Sequence, residues 1–174
     1  GAGCTVDAVQ GFGVRFAMFN LGKAPWDNVK VRQACLYALD TDKMLANAFS
    51  GQAEVATSYL PSSFANYHKA STVYAHDVDK AKKLISESGI TPGDVVLRTT
   101  DNEQVKSMAT QVKNDLDALG FNVSIVSDTS PATYAAIDAA DGSWDILLAP
   151  GDPSCFGADV DLLLNWWYGD NVWM

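Results

Sequence analysis

Apolar positions along this chain recur with two periods, and each switch between the periods marks a boundary between elements. Val14 to Asn20 alternates loosely between small and large residues, which predicts a buried strand. A polar loop closed by Pro25 follows, and then an amphipathic helix beginning near Asp27. Its stripe is Val31, Cys35, Ala38 and Leu39, at three- and four-residue spacing. Asp40 or Thr41 starts a second helix carrying Met44, Leu45, Ala48 and Phe49, with Gly51 placed to end it. Residues 52–76 hold no sustained period. They contain Pro61, many serines and alanines, and both histidines, and they predict a long ordered connection. Asp77 then caps a helix bearing Ala81, Leu84 and Ile85, stopped by Gly89 with Pro92 just beyond.

The clearest unit comes next. Val95–Thr99 reads as a strand. Asp101 or Asn102 caps a helix with Val105, Met108, Ala109, Val112, Leu116 and Leu119 on one face, and Gly120 ends it. Phe121, Val123 and Ile125 alternate as another strand. Strand, helix and strand with short joints form a βαβ unit, which requires the two strands to run parallel, adjacent or nearly so. Ser130-Pro131 opens a further helix with proline at its favoured first position. Asp141-Gly142 turns the chain, Trp144–Ala149 is a short apolar strand, and Pro150-Gly151-Asp152-Pro153 is expected to break it. Asp161–Tyr168 predicts a last helix. The pattern is that of one α/β domain over residues 1–174, with a mixed, mostly parallel sheet flanked by helices.

Composition narrows the function more than the fold. Apolar residues make up 48% of the chain and charged residues 19%, as in ordinary folded proteins. A net charge of −9 argues against nucleic acid, whose phosphates call for a basic surface. No run of about 18 apolar residues is present to span a bilayer. Cys4, Cys35 and Cys155 match no zinc spacing, and neither histidine lies near a thiol in sequence. Cys35 falls on an apolar helix face, where a thiol behaves as a small hydrophobe. Gly1-Ala2-Gly3-Cys4 superficially resembles a lipoprotein cleavage site, although the residues beyond it continue straight into a strand. The chain stops at Val172-Trp173-Met174, more aromatic than exposed termini usually are, which reads as truncation.

Candidate chemistry is sparse. A hydrolase needs a nucleophile, a base and an orienting acid, and none of the serines sits in such a setting. His68 and His76 lie eight apart in the irregular segment, short of the three or four convergent ligands a metal requires, so neither metal nor cofactor is expected. Asp152 is different, because it follows a strand at its carboxyl end, where ligands of open α/β sheets bind. A carboxylate there could hold a ligand ammonium by a charge-assisted bond, or it could simply start the turn before Pro153. Trp144, Trp166, Trp167, Tyr168 and Trp173 form an aromatic cluster suited to core packing or to clamping a ligand. Trp166 and Trp167 are adjacent, so on a helix one can face the cleft while the other faces the core. Arg32 points off the apolar stripe and is read as a structural pin for loop carbonyls or a carboxylate.

One stretch adds a resemblance. Phe19-Asn20, then Pro25-Trp26-Asp27-Asn28-Val29-Lys30-Val31-Arg32-Gln33-Ala34 and on through Tyr37-Ala38-Leu39-Asp40, resembles the extracellular solute-binding proteins of family 5. These are the oligopeptide-, dipeptide- and nickel-binding components of ABC importers. Asp77 to Gly89 is similar to a second pattern of that family, and Trp144–Asp161 to a third. The resemblance implies a lobe of the periplasmic-binding-protein type II class, here the incomplete second lobe of two. It further implies binding without catalysis, an extracytoplasmic location, and partnership with an N-terminal lobe and a membrane permease. Peptide is the implied ligand, with nickel chelates or oligosaccharides as alternatives. Gly151-Asp152 occupies the place of a glycine-aspartate pair whose carboxylate holds a peptide's α-ammonium, with Trp166 and Trp167 close behind. Pro153 and Val160 depart from the family pattern, so Asp159 or Asp161 could instead be the counterpart. The competing readings are a stand-alone interaction module of α/β build and a small hydrolase.

Overall fold

Helices begin where a short polar side chain can accept a hydrogen bond from the otherwise unpaired amides of the first turn. Asn28, Asp40, Asp77 and Asn102 do this, accepting from the amides of Lys30, Lys43, Lys80 and Val105. The helices they open are α1 (Val29–Ala38), α2 (Thr41–Phe49), α3 (Val78–Ser88) and α4 (Glu103–Asp117). A fifth, α5 (Ser130–Asp138), follows Thr129, which makes no such side-chain bond, and uses Pro131 in its first turn. The computed structural model describes residues 3, 5, 11, 13–58, 60–139, 142–151 and 161.

Four strands, β1 (Val14–Phe19), β2 (Asp94–Thr100), β3 (Asn122–Asp128) and β4 (Ile146–Gly151), make one sheet in the order β1-β4-β2-β3. The βαβ expectation holds. β2 and β3 are parallel neighbours, with Val95 opposite Val123, and α4 joins them. β4 also runs parallel to β2, with Leu97 opposite Ile146, while β1 is antiparallel to β4, with Phe19 opposite Ile146 and Val14 opposite Gly151. The sheet is therefore mixed and mostly parallel.

β4 differs from its expected span. It begins at Ile146 and runs through Pro150 instead of ending at Ala149. Its pairing with β2 stops at Leu148, so Pro150 is flanked only by β1, opposite Arg15. A proline at a strand position paired on one side is tolerated. The end of α2 differs by one residue: Ser50 already takes a left-handed backbone, φ 52°, ahead of Gly51 at φ 75°. Residues 52–76 form no helix or strand where described, and hydrogen bonds between Thr57 and Tyr67 (2.6 Å) and from the Ala70 amide to the Thr57 carbonyl hold them.

Each face of the sheet has its own cover. Val95, Leu97, Val123, Ile146 and Leu148 pack with Val105, Met108, Ala109, Val112 and Leu116 of α4 and with Val31, Ala34 and Cys35 of α1. Leu147, Ala149 and Trp144 pack on the other face with Ile137 of α5, flanked by Phe16, Met18 and Tyr134. β4 is apolar without alternation because both of its faces are covered.

Trp26, in the loop between β1 and α1, is wholly buried. Its ring stacks on Phe19 (5.2 Å between centroids) and on Phe121 (5.8 Å). Its indole N–H donates to Asp145 at 2.9 Å. Asp145 also accepts from Lys23 Nζ at 2.9 Å and from the Val96 amide at 2.8 Å. The Asn20 amide donates to the Asp145 carbonyl, and the Asp145 amide donates to the Val96 carbonyl. Arg32 donates to the Trp26 carbonyl at 2.6 Å, the pin its position suggested.

Candidate functional site

The parallel strands β4, β2 and β3 end along a single edge, at Gly151, Thr100 and Asp128. β1 starts there as well, since Val14 lies opposite Gly151. Open α/β sheets bind ligands beyond this carboxyl edge, because loops and helix amino termini converge on it. Asp101 and Asn102 leave β2 there to open α4, and Thr129 leaves β3 to open α5.

The polar groups on this edge fall on the two faces of the sheet. Arg98 and Thr100 of β2 share a face with Asp128, the register neighbour of Thr100. Arg98 Nη1 donates to Asp128 Oδ2 at 3.0 Å. Thr133 of α5 reaches over the same face, its hydroxyl 3.3 Å from the carbonyls of Thr99 and Asp128. Beneath it Thr100 is wholly buried, and its Oγ1 has no hydrogen-bond partner; Arg98 Nε is likewise buried and unpartnered. At the other end of the edge, Arg15 of β1 donates to Gln104 Oε1 of α4 at 3.3 Å, and its guanidinium carbon lies 6.0 Å from the centre of the Phe49 ring.

Gly151 is the last residue of β4, two positions beyond the end expected for that strand. Asp152, Asp159, Trp166 and Trp167 lie outside the described residues, as does nearly all of the helix expected from Asp161 to Tyr168; Asp161 itself is exposed. Trp144 is core, packed with Leu147. His68 and His76 are both exposed, and among the described residues no three histidine, cysteine, aspartate or glutamate side chains converge as metal ligands. Burial pushes the Cys35 thiol up to about 12, which leaves it protonated and a poor nucleophile. Burial also raises Tyr134, on the face occupied by α5.

Sequence reasoning passed over Arg98, Thr100 and Asp128. Arg98 lies inside the strand expected over Val95–Thr99, and Thr100 falls one residue beyond it. The available signal was positional: Thr100 and Asp128 close consecutive parallel strands, which aligns them on the binding edge.

Comparison with known proteins settles the class. The family model for bacterial extracellular solute-binding proteins, family 5 (middle region), matches residues 3–173. The chain belongs to this family. It is 33% identical over 136 residues to heme-binding protein A of Haemophilus influenzae, covering 74% of this chain and 24% of that one. To the dipeptide-binding protein of Escherichia coli it is 28% identical over 125 residues, covering 68% of this chain and 23% of that one. A dipeptide-binding protein from Pseudoalteromonas sp. SM9913, solved in complex with Met-Leu, superposes with a TM-score of 0.76 at 26% identity. That match covers 85% of this chain and 31% of the other. The chain thus spans about a quarter of the length of these curated relatives, and its fold is that of a type II periplasmic binding protein.

Proposed function

We propose that this chain forms part of the ligand cleft of the substrate-binding component of an ABC importer, and that its ligand is a short peptide. The observation that carries this reading is a coincidence of place. The matches to two dipeptide-binding relatives cover 68% and 85% of the chain, and the described polar groups gather on the carboxyl strand edge where such a sheet takes a ligand. The chain would supply one lobe, an N-terminal lobe would close over the ligand, and a membrane permease would receive it. The family is extracellular, and we place this member in the periplasm or, as a lipoprotein, on the cell surface. No bond is made or broken in such a cycle. The work of the site is to desolvate the ligand and pair its polar groups.

Within this reading Gly151 and Asp152 lie where β4 meets the cleft, and the Asp152 carboxylate holds the ligand's ammonium. Of the adjacent Trp166 and Trp167, we assign one to the ligand beside it and the other to the core. Asp152→Ala in the receptor containing this chain is expected to weaken peptide binding by about 2–5 kcal/mol, the cost of leaving a buried charge unpaired. N-acetylated peptides have no ammonium to lose and should be insensitive to the change. Calorimetry against matched free and acetylated peptides measures both. Equal losses for the two would remove Asp152 from the site and pass the role to Asp159 or Asp161. Peptide recovered intact after binding supports a receptor, whereas cleavage fragments would return the hydrolase.

A further inference from the structure

We propose that Lys113 and Asp117 of α4 guard the outer edge of β3, and that this guard keeps the receptor from pairing edge to edge with a second copy of itself. The inference does not depend on which ligand the receptor holds.

β3 is the last strand in the order β1-β4-β2-β3, and among the described residues no strand lies beyond it. Along a paired strand the amide and carbonyl of one residue face one neighbour, and those of the next residue face the other way. The Asn122 amide donates to the Gly93 carbonyl, on the side of β2. The amides and carbonyls of Val123, Ile125 and Ser127 therefore face outward. Such a row is a template for another strand, and natural edges are blunted by charge, proline, a bulge or short length. β3 has no such device of its own. It pairs with β2 without interruption from Asn122 to Asp128, and residues 122–127 carry no charge and no proline.

The protection comes from α4 instead. Lys113 and Asp117 lie one helical turn apart, and Lys113 Nζ bonds Asp117 Oδ2 at 2.7 Å. The same ammonium donates to the Val123 carbonyl at 2.6 Å, and Asp117 Oδ1 accepts from the Val123 amide at 2.9 Å. Both outward groups of Val123 are thus occupied by one ion pair. Among the described residues, no hydrogen bond from another element reaches the outward groups of Ile125 or Ser127.

A second copy is the occupant this guard excludes, because β3 is complementary to itself. Antiparallel pairing centred on Ile125 sets outward residue against outward residue: Ile125 meets Ile125, and Val123 meets Ser127 at both ends. Asn122 then faces Asp128, so no like charges stand opposite each other. With the guard in place Val123 has no group to offer, and only the central Ile125 pair is left. The net gain of a hydrogen bond is small, and one such pair cannot offset the entropy lost on association.

The test compares the receptor that contains this chain with its Lys113→Met/Asp117→Ala variant, by sedimentation velocity over a concentration series. Both side chains are about one-third exposed, 36% and 35%, so replacing them opens no cavity in the core. The parent should stay monomeric, and the variant should self-associate at least about tenfold more tightly. Adding Ser127→Pro should return the variant to monomer, because the ring replaces an outward amide that β2 does not use. Amide hydrogen exchange gives a second reading. In the parent, Val123 should be protected while Ile125 and Ser127 exchange quickly; in the variant, Ile125 should gain protection as concentration rises. Melting curves confirm that each protein is folded. If the double variant is not, Lys113→Met alone carries the test, since it frees the Val123 carbonyl and should associate in the same way, more weakly. A folded variant that stays monomeric overturns the guard. So does association that Ser127→Pro leaves untouched, which puts the contact elsewhere. Slow exchange of Ile125 in the dilute parent overturns it as well, because another part of the receptor would then already cover the edge.

Discussion

Two carboxylates tie the loops of this chain to its sheet. Asp145 is 2% exposed, and its two oxygens serve Trp26, Lys23 and the Val96 amide. Removing it leaves a buried indole N–H and a strand amide without acceptors, while Lys23, partly exposed, can turn to water. Asp145→Ala should therefore cost about 2–5 kcal/mol in urea unfolding of the chain. Asp145→Asn keeps an acceptor and should cost less. Equal losses would mean that charge, and not hydrogen bonding, sets the contribution. Asp117 acts at the joint between α4 and β3. Burial raises its carboxyl, but the bonds from Lys113 Nζ and the Val123 amide, with the Lys113 charge, outweigh that, and the net shift is down from 3.8. A depressed carboxyl stabilises the fold at pH above its unfolded value and loses that contribution as pH falls through its folded value. Asp117→Asn should thus flatten the loss of stability below pH 3.8 while lowering stability near neutrality, as followed by melting temperature against pH. An unchanged acid limb would show that other carboxylates dominate it. Neither residue stood out in the sequence. Asp145 falls inside the strand expected over Trp144–Ala149, yet Trp26 lies 119 positions away and Val96 lies 49 away, contacts no local period encodes.

At the scale of elements, α4 is the central support of the sheet. Val105, Met108, Ala109, Val112 and Leu116 are buried along one side of it and cover β2 and β3 from a single face. Val112 is 3% exposed, so Val112→Asp would bury a charge among the apolar side chains of the core. A loss of about 3–5 kcal/mol is expected, enough to unfold a marginal domain, and a melting temperature equal to that of the parent would refute the face assignment. This unit was legible because everything that defines it is local: Asn102 to cap it, a clean 3.6-residue period, and Gly120 with φ 99° to close it. The strand order was less so. That β4 sits between β1 and β2 depends on pairings across more than a hundred residues, such as Phe19 with Ile146. Nor could the sequence show that Pro150 continues a strand, since this depends on where β2 stops pairing. The binding edge shares that limit. Its location follows from parallel strands, but Arg98, Thr100 and Asp128 meet there only once register is known.

At the scale of the whole molecule, the described edge would be one wall of the proposed cleft. Arg98, Thr100 and Thr133 lie on the face of α5, the cations Arg15 and Arg98 are engaged by Gln104 and Asp128, and the chain spans about a quarter of its curated relatives. A ligand on such a wall stays open to water on its far side, where exposed polar contacts gain little and entropy losses are paid in full. If a second lobe supplies the opposite wall, closure excludes that water and strengthens every pair formed on this one. The expectation is quantitative. The 174-residue chain alone should bind di- and tripeptides at least about a hundredfold more weakly than the receptor containing it, roughly 2.7 kcal/mol. Adding Asp145→Asn, which acts at the opposite ends of β2 and β4 from the binding edge, should leave the ratio between the two unchanged, because it alters the support of the wall and not the closure. Calorimetry on both proteins with the same peptides measures the ratio. Equal affinities would place the whole binding site within these residues, and the lobe would then be a complete binding module with no need of a partner to close over it.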